Sequence, residues 1–256
     1  MALVKTEGVI LQSRPFSESS KILALFTLDA GRVSLLVKGG RKGIKKFPGG
    51  LETLNRVELQ YYYRGGRELQ NFKSSDLLES YSGLHSDLPR TYTALSLAET
   101  VLRATAPDDP NPDLYRTLTT VLRTLNNQEQ HPWAIRWKGL LDICRNLGFG
   151  MTLDGCSRCG GREAMAGFDL TMGGFICKLH PKEERNIIET SGEIWGTLRF
   201  LNRCPYEAAA RIAVHPAAGR GIETLFTRYF NYHIPTLKHF ESWKRLPAVY
   251  WGEEEV

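Results

Sequence analysis

The sequence predicts an α+β chain of several domains: an N-terminal five-stranded β-barrel, an α-helical domain, and a small cysteine-bearing knuckle inserted among the helices. Three observations predict it. The first 80 positions read as a run of short, apolar strands joined by turns, the spacing becomes helical from about residue 84, and a C-x2-C-x17-C-x2-H pattern interrupts it between residues 156 and 180. With 256 residues and 42% hydrophobic side chains, the chain is long enough for these units to hold real cores.

The strands follow in order. Residues 4–11 and 21–28 are rich in Val, Ile, Leu and Phe. The second run enters the turn Asp29-Ala30-Gly31, and residues 32–38 follow at once, so these two runs should pair as a hairpin. The next segment, GGRKGIKKFPGG, has five glycines and a proline in twelve residues and reads as a loop. Residues 56–63 alternate as a strand, Arg64-Gly65-Gly66-Arg67 turns, and residues 68–75 return. Five short strands and one long loop fit a barrel of the OB type over residues 1–80, a fold whose sheet face and loops commonly bind oligonucleotides. An SH3-like barrel fits the strand count nearly as well.

Beyond residue 84 the apolar stripe Ala94, Leu95, Leu97, Ala98, Val101 and Leu102 marks a helix, stopped by the proline-rich segment 107–112. Leu114, Leu118, Val121, Leu122 and Leu125 mark a second, which ends at Asn126-Asn127. Pro132 opens a third, with Trp133, Trp137, Leu140, Leu141, Cys144 and Leu147 on its buried face and Gly148 as its cap. Helix resumes over residues 194–201 and 221–233, where Ile222, Leu225, Phe226, Tyr229, Phe230 and His233 share one side. The expected helical domain therefore covers residues 81–150 and 186–246, with the knuckle at 151–185 and an acidic tail at 247–256. These stripes read as bundle core, and Cys144 and Cys204 as core thiols.

Cys156, Cys159, Cys177 and His180 carry the strongest chemical signal. Zinc takes four sulfur or nitrogen ligands in a tetrahedron, and two tight knuckles supply them in pairs. Gly160 and Gly161 follow the first knuckle; Gly173 and Gly174 precede the second and would turn a small hairpin, with Phe168 and Phe175 covering the site. Four protein ligands leave no open position, so one structural Zn2+ per chain is expected, its binding energy folding a segment too small for its own core. His180 is the weakest of the four ligands. The competing reading is a redox pair of Cys156 with Cys159.

Charge is unevenly placed. Residues 1–80 hold 13 basic and 8 acidic side chains, whereas residues 81–256 hold 20 of each. Arg32, Lys38, Arg41, Lys42, Lys45 and Lys46 fall in 15 residues without an Asp or Glu, which suits a polyanion. Lysines on a glycine-rich loop would contact phosphates while the glycines follow the backbone, with Arg14 and Arg32 on neighbouring turns. Tyr61, Tyr62, Tyr63 and Phe72 are the aromatics available for base stacking, but Tyr61 and Tyr63 share one strand face and Tyr62 takes the other, so part of the set must be core.

The chain as a whole resembles the bacterial recombination mediator family RecO. The residues that carry the resemblance are Gly8-Val9-Ile10-Leu11-Gln12-Ser13-Arg14, Glu18, Lys21-Ile22-Leu23, Phe26-Thr27, Gly31-Arg32, Lys38-Gly39-Gly40-Arg41-Lys42, the knuckle Cys156 to Gly160, and Gly173-Gly174-Phe175-Ile176-Cys177. The resemblance implies a non-enzymatic protein of DNA repair that binds single- and double-stranded DNA and anneals complementary strands. It implies RecR as a partner, with which such proteins help load RecA onto DNA coated by single-strand-binding protein. It also implies that the helical domain receives the acidic C-terminal tail of single-strand-binding protein, with Arg123, Arg136, Lys138 and Arg145 as available cations. Where zinc-bearing members often have a fourth cysteine, this chain has His180.

Other readings are weaker. A metal nuclease needs clustered carboxylates, and Glu7, Glu18, Asp29 and Glu52 are scattered. No G-x-S-x-G, P-loop or H-E-x-x-H occurs, so no enzyme activity is expected. The alternative is an RNA-binding, zinc-containing OB-fold factor, since a basic barrel with knuckles suits RNA on physical grounds. No run of 18 apolar residues is present and no secretory signal opens the chain, so a cytoplasmic protein without a membrane partner is expected, and the resemblance implies that it is nucleoid-associated.

Overall fold

A computed structural model describes residues 2–40, 51–127, 131–180, 186–234 and 241–252. β1 (Ala2–Pro15) is long enough to serve two neighbours: its first half pairs with β4 (Arg56–Tyr63) and its second with β2 (Lys21–Thr27). The two pairings overlap at Gly8 and Val9, where a β-carbon on Gly8 would lie 3.1 Å from Thr27 Cγ2 and 3.2 Å from Leu59 Cδ2. Lacking that atom, the strand bends through a bulge between Ile10 and Gln12 and closes the barrel.

β3 (Gly31–Val37) returns from β2 as a hairpin, and β5 (Leu69–Glu79) follows β4. β5 runs parallel to β3, Ser34 opposite Leu69, and lies between β3 and β4. The closed order β1-β2-β3-β5-β4 is a Greek key, not a meander, and settles the barrel as the OB type that strand count alone left open. Side chains alternate between two cores. Ile10 points into the barrel interior, while its neighbours Val9 and Leu11, with Phe26, enter the core of the helical domain. That is why Val9-Ile10-Leu11 is apolar throughout.

α1 (Leu88–Ala104) starts at Asp87, whose carboxylate accepts the Arg90 N–H at 2.7 Å. α2 (Pro112–Asn127) and α3 (Pro132–Asn146) follow, with prolines in their first turns. α4 (Gly192–Arg203), a single turn α5 (Tyr206–Ala209) and α6 (Pro216–His233) continue beyond the knuckle. α7 (Glu241–Trp251) runs five residues into the stretch read from sequence as a tail. Its indole rings account for this: Trp251 packs 5.3 Å from Trp133 and 6.4 Å from Trp137, and Trp243 is buried against α1. The packed face outweighs the helix-breaking Pro247.

The barrel is fixed to the helices by charge as well as by apolar contact. Arg56 of β4 donates to Glu7 at 2.7 Å and to the Tyr115 hydroxyl at 3.3 Å, and lies 3.5 Å from Glu79. Arg123 of α2 closes the set with two bonds to Glu79 at 2.9 and 2.8 Å. Among the described residues no helix is long and apolar enough to cross a membrane.

Candidate metal centre and nucleic-acid interface

The knuckles sit on a small sheet, β6 (Met165–Asp169), β7 (Gly174–Cys177) and β8 (Ile187–Glu189), in the order β7-β6-β8. The first knuckle is a tight turn: the Cys156 N–H donates to Gly161 O at 2.7 Å and the Gly160 N–H to Cys156 O at 2.8 Å. Gly160 holds φ +73, a left-handed conformation that favours glycine. In the second, the His180 N–H donates to Cys177 O at 3.2 Å. Between β6 and β7 the Asp169 carboxylate accepts the N–H groups of Thr171 and Met172, which turns the hairpin expected at Gly173-Gly174. Phe168 and Phe175 meet edge-on at 5.1 Å, and Phe168 in turn packs against Tyr229 of α6.

These turns bring the ligand atoms of Cys156, Cys159, Cys177 and His180 within 4.8 Å of one another. The three thiols are unbonded, and Cys159 Sγ lies 3.8 Å from Cys177 Sγ. That is far beyond a disulfide bond, and close to the ~3.8 Å expected of two thiolates on one tetrahedral ion with metal–sulfur bonds of about 2.3 Å. The Cys177 N–H donates to Cys156 Sγ at 3.4 Å. Burial pushes the Cys156 thiol up, but N–H groups of Cys177, Arg158 and Cys159 outweigh it and bring it down to about 6, favouring the thiolate a metal needs. His180 Nε2 is buried with no hydrogen-bond partner. An orphaned imidazole nitrogen beside three thiols has the donor chemistry of a Cys3His metal site, so the four residues could hold a metal ion.

The described candidate DNA-binding residues of the barrel divide between its two ends. Arg14 lies opposite Ile22, and Lys21 opposite both Pro15 and Val37, so the register brings Arg14, Lys21 and Lys38 to one end. Arg14 and Lys38 are exposed. The Lys21 ammonium donates to Leu51 O at 2.8 Å, and burial lowers its pKa. Arg41, Lys42, Lys45 and Lys46 lie outside the described residues, in the segment that leaves this end at Gly40 and rejoins it at Leu51. Arg32 is at the opposite end. Its Nε donates to Thr105 O at 3.0 Å, and it lines a pocket of about 130 Å³ with Arg67, Pro107 and Asp108. Arg32 thus belongs to the joint with the helices, apart from the loop with which its sequence position groups it.

Comparison with known proteins matches two family descriptions to the chain. The family described as "Recombination protein O N terminal" matches residues 1–81, and "Recombination protein O C terminal" matches residues 85–241. The chain belongs to the RecO family. Relatives named "DNA repair protein RecO" include one from Rubrobacter xylanophilus, 30% identical over 237 residues, which cover 91% of this chain and 92% of the relative. Another, from Exiguobacterium sibiricum, is 26% identical over 227 residues, covering 89% of this chain and 90% of the relative. A third, from Frankia casuarinae, is 32% identical over 179 residues, covering 69% and 73%. A RecO-family chain is a protein of DNA repair and recombination.

In this RecO-family chain the aromatic candidates divide as strand alternation requires. Tyr61 is 1% exposed inside the barrel, and Tyr63 and Phe72 pack against the same core. Tyr62 faces the other way, across from Leu3 and Asn71. The four helical cations also separate. Arg136 is fully buried, bonded to Glu223 at 2.6 Å and Ser96 Oγ at 2.9 Å beneath the Trp243 ring. Lys138 is buried too, 3.4 Å from Asp142 and donating to Leu201 O. Arg123 is committed to Glu79, and Arg145 to Asp142 and Asn202. Sequence reasoning missed a groove of about 450 Å³ along α4, lined by Gly196, Arg199, Phe200, Arg203 and Cys204. Phe200 there is 47% exposed. The signal was present as arginines four residues apart beside an unpaired aromatic, one helical face that is both cationic and apolar.

Proposed function

We propose that this RecO-family chain is a non-enzymatic, DNA-binding recombination mediator. It binds single- and double-stranded DNA, anneals complementary strands, and acts with RecR to help load RecA onto DNA coated by single-strand-binding protein, in the cytoplasm at the nucleoid. The observation that carries the reading is the OB barrel's cationic end in a chain of the RecO family: Arg14, Lys21 and Lys38 lie there beside Gly40 and Leu51, between which the sequence holds Arg41, Lys42, Lys45 and Lys46. Phosphates attach there without base readout, as a protein that handles any sequence requires. Neutralised strands repel less, and base pairing supplies the driving force for annealing. Tyr62 is the aromatic placed to stack a base.

Cys156, Cys159, Cys177 and His180 hold one structural Zn2+ in this reading. The ion supplies folding energy to a subdomain of three short strands. The α4 groove receives the acidic C-terminal tail of single-strand-binding protein: Arg199 and Arg203 meet its carboxylates, and Phe200 its apolar side chains. Arg136 and Lys138 are too buried to do so.

The test is duplex formation between complementary DNA strands coated with cognate single-strand-binding protein, followed by fluorescence without added nucleotide. Acceleration by the wild type that is lost in Lys45→Ala/Lys46→Ala supports the proposal. A folded, zinc-loaded protein that leaves the rate unchanged and prefers RNA to DNA of the same sequence would instead make it an RNA-binding factor.

A further inference from the structure

The two arginines of the α4 groove are already paired with a carboxylate beside it. Asp154 belongs to the knuckle subdomain, yet it forms ion pairs with both groove arginines, lying 3.8 Å from Arg199 Nε and in contact with Arg203 Nη2. Its backbone is held on both sides. The preceding Leu153 is buried, and its carbonyl accepts the Trp195 indole N–H of α4 at 2.9 Å. At the following Gly155 a β-carbon would lie 2.8 Å from Gly160 O, so the chain is pressed against the first knuckle. The Asp154 carbonyl itself accepts Arg162 Nε at 3.1 Å. The carboxylate is thus delivered to α4 by a rigid neighbour, while its own side chain is 59% exposed.

We infer that Asp154 is a built-in competitor for the α4 groove: an acidic, aromatic-bearing peptide binds by taking Arg199 and Arg203 from it. The inference rests on the groove reading above and deepens it. Two guanidiniums face one carboxylate, which leaves the groove cationic and attractive to an acidic segment. The Arg199 Nε is buried and lacks a hydrogen-bond partner, since 3.8 Å is an ion-pair distance too long for a bond. An incoming carboxylate can satisfy it where Asp154 does not. Space exists for the rest of the ligand, because nothing lies within 4 Å of a β-carbon built on Gly196 and Phe200 is exposed. Exposed ion pairs are weak, so the intramolecular carboxylate can be displaced and acts to hold affinity down and speed release.

The experiment measures binding of a fluorescein-labelled synthetic peptide of four aspartates followed by phenylalanine, by anisotropy, to full-length protein. An exposed pair of this kind is worth up to about 1 kcal/mol, about fivefold in affinity, so Asp154→Asn should bind three- to fivefold more tightly. Asp154→Glu, which keeps the charge, should stay within about twofold of the wild type, and Arg203→Ala should weaken binding in either background. Metal content and thermal midpoint are followed in each variant. Unchanged or weaker binding by a metal-loaded Asp154→Asn protein would overturn the inference, the latter showing that Asp154 orients the arginines instead. Loss of metal in Asp154→Asn would make it a folding residue and overturn it equally. If neither wild type nor Asp154→Asn bound the peptide, the groove reading would fall, and this role with it.

Discussion

Glu79 gathers more charge than any single contact at the barrel–helix joint would need. Hydrogen bonds from Arg123 hold its carboxyl below the ordinary carboxylate range against the opposing effect of burial, with Tyr81 and Arg56 adding to them. Because the folded state prefers the ionised form, its contribution is complete above the unfolded carboxylate pKa and is lost as pH falls through the folded one. Urea midpoints measured from pH 7 to pH 3 should therefore fall more steeply below about pH 4.3 in wild type than in Glu79→Gln. At neutral pH that variant should be less stable by about 1 kcal/mol, a figure kept small because the group is partly exposed. The buried pair is the harder test. Glu223 accepts from both Arg136 and the Trp137 indole at 2.6 Å, and Glu223→Ala leaves the Arg136 guanidinium charged and uncompensated. A loss of about 3–5 kcal/mol in urea unfolding is expected. Sequence periodicity did not mark Arg136 as buried, because its partner is 87 residues away on another helix.

Turns and knuckles decide how the elements meet. Gly31 has φ +65, and a β-carbon there would stand 2.3 Å from the Asp109 carbonyl oxygen. Both the left-handed backbone and the closeness of the α1–α2 connection demand glycine, so Gly31→Ala should cost about 2 kcal/mol or more, read from the thermal midpoint. The turn itself was legible from Asp29-Ala30-Gly31; its contact with a loop some 80 residues later was not. For the knuckle, chelation should release one zinc per chain and remove hydrogen-exchange protection from β6, β7 and β8 while leaving the barrel strands protected. Cys177→Ser should reproduce this without chelator. Full zinc occupancy with unchanged affinity in His180→Ala would remove His180 from the ligand set. The knuckle was readable because its three cysteines and histidine sit at short fixed spacings, whereas α7 was obscured by Pro247 and shows itself through the burial of Trp243 and the packing of half-buried Trp251 against Trp133.

For the molecule as a whole, the charge asymmetry becomes a salt dependence. Five phosphate contacts on single-stranded DNA give a slope of log affinity against log salt of about −3.5, and Lys45→Ala/Lys46→Ala should flatten it by about 1.4. Anisotropy titrations at several salt concentrations measure this directly. An unchanged slope would move the DNA site off the basic segment. The joint through Arg56, Glu7, Glu79 and Arg123 ties that cationic barrel to the helices carrying the α4 groove, so DNA and an acidic partner would be held on one body.

What the sequence determined by itself was local: strand and helix periods, caps, the glycine-rich basic segment and the paired knuckles. All depend on residues within a few positions of each other, where backbone geometry fixes which side chains share a face. Tertiary structure decided the rest. It placed β5 between β3 and β4, which distinguishes one five-stranded barrel from another. It moved Arg32 to the helical joint and Arg136 into the core, and it brought Asp154 across to Arg199 and Arg203. Each is a pairing between distant parts of the chain, set by which buried surfaces and charges complete one another, and no local spacing encodes it.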